Sequence, residues 1–219
     1  MQCQLPLAIA IAVSNQIKVK YDKGARRVIA ALFGWQLPDE QLAYLAGALD
    51  GATVHLSPHG DSLFFDVHHP DVLFQQRRLR KDELGRLYVR NLYFEKQPWG
   101  QPLLGLRALL RQVEAGQALG VAYLTTFAAG TALKEDWNGF YTWARYGFNA
   151  ALPEDRQRAL PPALSGCQTL NELMLYGGAE WWRIEGVPLE MRFDLHPDSS
   201  MMRVLQHYLE SLRKKGRWS

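Results

Sequence analysis

The sequence predicts an α/β (α+β) protein, with a central, mostly antiparallel mixed sheet flanked by helices and a C-terminal elaboration. Three observations carry the prediction. Segments with apolar residues at every second position are interspersed with segments at helical spacing. Their order is strand, two helices, several strands, helix, strand, helix, strand, helix, which suits one layered domain around a sheet. A hydrophobic content of 47% in 219 residues supplies a core for such a domain.

The first strand is "NQIKVKYD", where Ile17 and Val19 alternate with lysines. "GARRVIAALFGW" follows as a helix, with Val28, Ile29, Leu32 and Phe33 on one side. "PDEQLAYLAGAL" predicts a second helix with Pro38 in its first turn and acids close behind. "TVHLS" and "SLFFDV" read as strands separated by a break at Pro58 and Gly60. "VLFQQRRLRKDELGRLYVRNLYFE" reads as a hairpin turning near Asp82–Gly85. Alternation along its second arm puts Leu87, Val89, Asn91, Tyr93 and Glu95 on one face and Tyr88, Arg90, Leu92 and Phe94 on the other.

"PLLGLRALLRQVEAGQALG" is an amphipathic helix with Pro102 in its first turn and a stripe of Leu103, Leu106, Leu110 and Val113. "VAYLTTF" is a strand, and "NGFYTWARYGF" a short helix that runs out at Gly147. "LNELMLYGGAEWWRIEG" reads as two short helical pieces, in which at least one of Trp181 and Trp182 belongs to the core. "PLEMRFDL" is a strand, and "SSMMRVLQHYLESLRKK" closes the chain as a helix capped by Ser199 or Asp198. The reading is a single domain over 1–219, with a core at 1–152 and an extension of strands and a helix at 153–219.

Composition narrows the function classes. A net charge of +3 argues against a nucleic-acid role, and the basic tail Arg213, Lys214, Lys215 and Arg217 suits a solvated helix end. Cys3 and Cys167 are too few and too far apart for a disulfide framework or a cysteine zinc site. The apolar run Leu5–Val13 lacks a basic flank and a small-residue cleavage site, which speaks against a signal peptide. No stretch approaches the length of a bilayer span, so the expectation is a cytoplasmic protein without a membrane partner.

The stretch from Arg90 to Ala151 carries the strongest functional signal. It runs "RNLYFEKQPWGQPLLGLRALLRQVEAGQALGVAYLTTFAAG" and then "DWNGFYTWARYGFNA". Its strand, glycine-bearing loop, long helix, strand and short aromatic helix ending in Gly-Phe resemble the Gcn5-related N-acetyltransferase (GNAT) superfamily. The resemblance implies a GNAT-like fold that binds acetyl-CoA as a substrate and transfers the acyl group to an amine acceptor. It implies a cofactor-binding set of Gly100, Gln101, Leu103, Gly105, Leu106 and Trp143, with Glu95 and Tyr141 as catalytic candidates.

The loop admits two registers against the family pattern. One runs from Gln97 through Gly100 to Pro102, the other from Gly100 through Leu103 to Gly105. Trp143 stands where the family often carries an acidic phenol, four residues before Gly147. The alternative reading is a catalytically inactive GNAT-like binding or interaction module. Neither reading names the amine, and a homodimer stays open.

Three further constellations have plainer readings beside functional ones. His55, His59, His68 and His69, with Asp61 or Asp66, are a metal candidate or a polar sheet end. "RRLRKDELGR" at 77–86 is an exposed charged hairpin or a patch for an anionic partner. Glu135 and Asp136 are acids of a loop or of a helix start.

Overall fold

The predicted strands pair into one sheet whose spatial order follows the chain, β1-β2-β3-β4-β5-β6-β7. The computed structural model describes residues 17–132 and 138–218; Cys3, the Leu5–Val13 run, Glu135 and Asp136 lie outside them. β1 (Lys18–Tyr21) is followed by α1 (Ala25–Phe33) and α2 (Asp39–Leu45). β2 (Thr53–His59), β3 (Ser62–His68), β4 (Val72–Lys81) and β5 (Leu87–Lys96) then form a meander. α3 (Leu104–Ala118) leads to β6 (Tyr123–Ala128) and α4 (Gly139–Arg145). α5 (Glu154–Arg158), α6 (Leu170–Leu175) and α7 (Ala179–Glu185) precede β7 (Leu189–Asp194) and α8 (Ser200–Lys214).

The sheet is mixed. The hairpin-connected strands β2 to β5 pair antiparallel, as do β6 and β7. β1 with β2 and β5 with β6 pair parallel, because helices carry the chain back between them. The extension contributes one strand rather than several: β7 joins the same sheet beside β6 and buries Met191 and Phe193.

Helices pack on one face. α1 lies on β2 and β3, α3 on β5, α4 on β6 and α8 on β7, with α2 alongside α3. The strand residues on that face are fully covered: Leu56, Leu63, Phe65, Leu79, Val89 and Leu124 each have 0% exposure. The alternate residues, including His55, Phe64, Arg78, Arg90 and Thr125, are only half-buried. Among the described residues, every buried apolar strand residue except Tyr123 belongs to the helix-covered face.

Local chemistry fixes the helix ends. Thr169 and Glu172 form a reciprocal capping box at the start of α6. Ser199, not Asp198, caps α8 by accepting from the Met202 N–H at 3.2 Å. Two prolines sit differently from their predicted places. Pro58 lies inside β2, beyond the last β1 partner at Leu56, so its missing N–H breaks no ladder bond to β1. Pro102 precedes α3 rather than opening it.

The face prediction for β5 holds through Asn91 and fails beyond it. Arg77 pairs with Asn91 and Gln76 with Tyr93, leaving Leu92 as an extra residue in a β-bulge. Phe94 therefore joins the helix side, packed on Leu49, Val72 and Leu104. Tyr93 turns to the open side against Phe74, with ring centroids 5.3 Å apart.

Under α2 and α3 the core is not wholly apolar. Asn91 and Gln112 exchange amide hydrogen bonds at 3.0 Å, and Gln112 also donates to the Leu45 carbonyl at 3.1 Å. Gln112→Leu would leave that carbonyl and the Asn91 amide without partners. The expected loss is about 1–3 kcal/mol by urea unfolding. A loss below about 0.5 kcal/mol would mean that the network adds nothing.

Candidate functional site

β5 and β6 run together for four residues and then part. Their pairing extends from Tyr88↔Tyr123 to Asn91↔Thr126, and Leu92–Lys96 have no β6 partner. β6 stays attached to β7 as far as Ala128↔Leu189. The parting begins at the bulged residue, where a bulge bends its strand and increases the twist. Two contacts brace the fork. The Thr126 hydroxyl donates to the Asn91 carbonyl at 3.2 Å. The Arg77 guanidinium donates to the Gln76 and Tyr93 carbonyls, the former at 3.0 Å and the latter at 2.5 Å.

Arg77 is 2% exposed, and burial pulls its guanidinium down to about 9. Among the described residues it has no carboxylate partner and takes its acceptors from the backbone at the bulge. Sequence reading grouped it with the exposed hairpin charges. The available signal was alternation: Gln75, Arg77 and Leu79 share the inward face of β4, which placed a charge at a core position.

The start of α3 lies at the open end of the fork, where Gly105 sits against the Phe94 ring. A Cβ on Gly105 would come within 3.1 Å of that ring. The first helical N–H with an acceptor is that of Arg107, to the Leu103 carbonyl at 3.0 Å. The N–H groups of Leu104, Gly105 and Leu106 precede the ladder, and no side chain caps them. Leu103 has φ 59, the one positive value outside glycine among the described residues. Lys96 reaches the Gln97 and Gly100 carbonyls at 3.4 Å, and Arg107 donates to Gln101 at 3.3 Å. Uncapped N–H groups flanked by two cations are an arrangement that attracts an anion.

The predicted cofactor-binding residues divide between this region and another. Gly100 turns tightly over the start of β4, where a Cβ would meet the Asp71 carbonyl at 2.7 Å. Gln101 is exposed, and Leu103 half-buried. Leu106 has 0% exposure, so only its backbone can meet a ligand. Trp143 lies on α4, packed edge-on against Phe148 at 4.9 Å and Tyr146 at 6.1 Å.

The catalytic candidates also lie on different elements. Glu95 is exposed on β5 past the bulge, across from Phe74 and on the face opposite Phe94. Tyr141 is on α4, where its hydroxyl donates to Glu180 of α7 at 3.4 Å. Burial pushes its phenol up, against the opposing pull of Arg145 stacked 4.9 Å from its ring. The four clustered histidines take separate surroundings: His55 pairs with Asp22 at 2.9 Å, and His69 bonds the Asp50 carbonyl at 3.1 Å. His59 meets the Phe64 ring edge-on, and His68 is exposed.

No protein-family model matches this chain, and no curated protein matches it by sequence.

Proposed function

We propose that this chain is an acyl-CoA-dependent N-acyltransferase that moves an acetyl group to an amine. The observation that carries the proposal is the parting of β5 and β6 at the Leu92 bulge, with the uncapped start of α3 at the same end. In this reading the N–H groups of Leu104, Gly105 and Leu106 receive the pyrophosphate, helped by Lys96 and Arg107. The thioester occupies the gap between the strands. Glu95, on the open face, takes the proton that the acceptor ammonium must lose before nitrogen attacks the carbonyl carbon. The C–S bond then breaks, and CoA leaves as a thiolate that takes its proton from solvent.

The test is thermal unfolding with and without millimolar acetyl-CoA. A ligand at about a hundred times its dissociation constant adds about 2.7 kcal/mol of stability. Leu103→Asp puts a carboxylate beside the free N–H groups and should abolish the acetyl-CoA-dependent shift, whatever it does to the baseline. An unshifted melting curve at millimolar acetyl-CoA would sink the proposal; a shift that survives Leu103→Asp would move the site away from α3.

One observation favours a second reading, a binding module without catalysis. The Tyr141 hydroxyl is engaged by Glu180, and an indole that cannot act as an acid occupies position 143. Neither side chain offers a free proton for a departing thiolate. Acetyl-CoA binding with no acetylation across a panel of amines would select this reading.

A further inference from the structure

The sheet face that the described helices leave open carries cations and aromatics in cross-strand rows, with Glu95, Glu190 and Asp194 among them. One cross-strand row reads Arg78, Arg90, Thr125, Arg192 across β4, β5, β6 and β7. The neighbouring row reads Arg80, Tyr88, Tyr123, Asp194. Like charges placed directly opposite each other on paired strands repel, so the Arg78↔Arg90 pair works against the fold. Glu190 relieves only Arg90. Among the described residues Arg78, Arg80 and Arg192 have no carboxylate partner.

Two orphaned polar atoms belong to this same row. Arg78 Nε and Thr125 Oγ1 are buried and have no hydrogen-bond partner. In the second row Tyr88 and Tyr123 stack at 5.1 Å and 9°, with Arg192 3.8 Å over Tyr123 and Arg80 6.0 Å over Tyr88. On the other side of the arginine row, past the bulge, lies a band of exposed aromatics. Phe74, Tyr93 and Phe127 are 46%, 54% and 52% exposed.

We infer that this open face binds single-stranded nucleic acid laid across β4–β7. Phosphates meet the row of Arg78, Arg90 and Arg192, and bases meet Phe74, Tyr93 and Phe127. Strands stand about 4.8 Å apart, so the row is long enough for a chain of phosphates rather than one. A cationic row beside an aromatic band matches a strand whose charged backbone and apolar bases lie side by side. The open side of a sheet offers no helix or free ribbon to enter a duplex groove, and paired bases expose no ring faces to it. Glu95, Glu190 and Asp194 share this face with Arg78, Arg80, Arg90 and Arg192, so the positive charge the inference uses is local to the arginine row and is not set by the chain's net +3. The inference does not rest on acyl transfer, since its test uses neither acetyl-CoA nor α3, although Glu95 and the gap between β5 and β6 border the aromatic band.

The test is fluorescence anisotropy with labelled RNA and DNA 12-mers, without acetyl-CoA, at about 50 to 200 mM salt. Three phosphate contacts on a single strand give a log–log salt slope of about −2, hence about twentyfold weaker binding over that range. Arg78→Gln with Arg192→Gln should bring the slope to about −0.7. Tyr93→Ser with Phe127→Ser should weaken binding about tenfold or more at every salt concentration and leave the slope unchanged. All four side chains lie on the open face, and an unchanged melting temperature verifies that each variant folds. No binding of either 12-mer at about 50 mM salt overturns the inference. Equally tight binding of a duplex or of polyglutamate also overturns it, the latter in favour of an acidic protein partner.

Discussion

Trp182→Ala is expected to lower the unfolding free energy by about 3–5 kcal/mol, the range for removing a buried large aromatic. Trp182 is 0% exposed and heads the fully buried side chains by volume. Its indole Nε1–H donates to the Phe140 carbonyl at 3.0 Å, tying α7 to α4. Truncation thus opens a cavity and also leaves that carbonyl without its partner. The site has little freedom to collapse, since a Cβ on Gly186 would already lie 2.5 Å from the Phe140 ring. In a chain of this size the loss corresponds to a melting temperature lower by about 10 °C. Trp182→Phe keeps most of the volume and loses the donor, and should cost about 1–2 kcal/mol. If the alanine variant unfolds within about 1 kcal/mol of wild type, Trp182 does not hold α7 to α4.

Gly147→Ala is expected to cost about 2–5 kcal/mol, combining left-handed strain with overpacking. Gly147 ends α4 with φ 97, and a Cβ there would stand 2.3 Å from the Met201 carbonyl oxygen and 3.0 Å from the Phe193 ring. The carbonyl belongs to the first turn of α8, so relief requires moving backbone rather than a side-chain tip. Gly120→Ala is the control: φ is +69 with no atom within 4 Å, so only the strain remains. Equal losses for the two variants in urea unfolding would show that close packing at Gly147 adds nothing.

Both predictions concern the short aromatic stretch with which the family resemblance ends. Phe140, Ala144 and Phe148 are buried, and Trp143 and Tyr146 pack around Phe148 or each other. This is core construction at the junction of α4, α7, α8 and β7. Its spacing was legible; its partners were not, because Phe193 and Met201 arrive from the far end of the chain.

The strands and the longer helices were legible because each carries a sustained apolar period. α5 was not: none of its residues is buried, so no period marks it. The bulge at Leu92 was invisible for a different reason. "LYVRNLYFE" alternates without interruption, and only the pairing with β4 reveals which residue is extra. The misassigned faces of Tyr93, Phe94 and Glu95 all follow from it. In the site, the loop and the start of α3 were recognisable from the glycines and the helix pattern. The arginine row was not, since it exists only once β6 and β7 settle in register beside β5.

That extra residue has a meaning for how the fork can change. With Leu92 removed, Asn91 and Tyr93 would be consecutive and would still meet Arg77 and Gln76, so no other side chain on β5 would change faces. What would go is the bend. The opening is therefore tied to chain length, through the surplus residue at Leu92 and a second, Leu73, on the facing stretch of β4. Substitutions reline the fork or recharge it, whereas deleting Leu92 acts on the bend itself. Descendants of this chain can vary what the opening accepts by ordinary point mutation, while its bend changes by whole residues gained or lost.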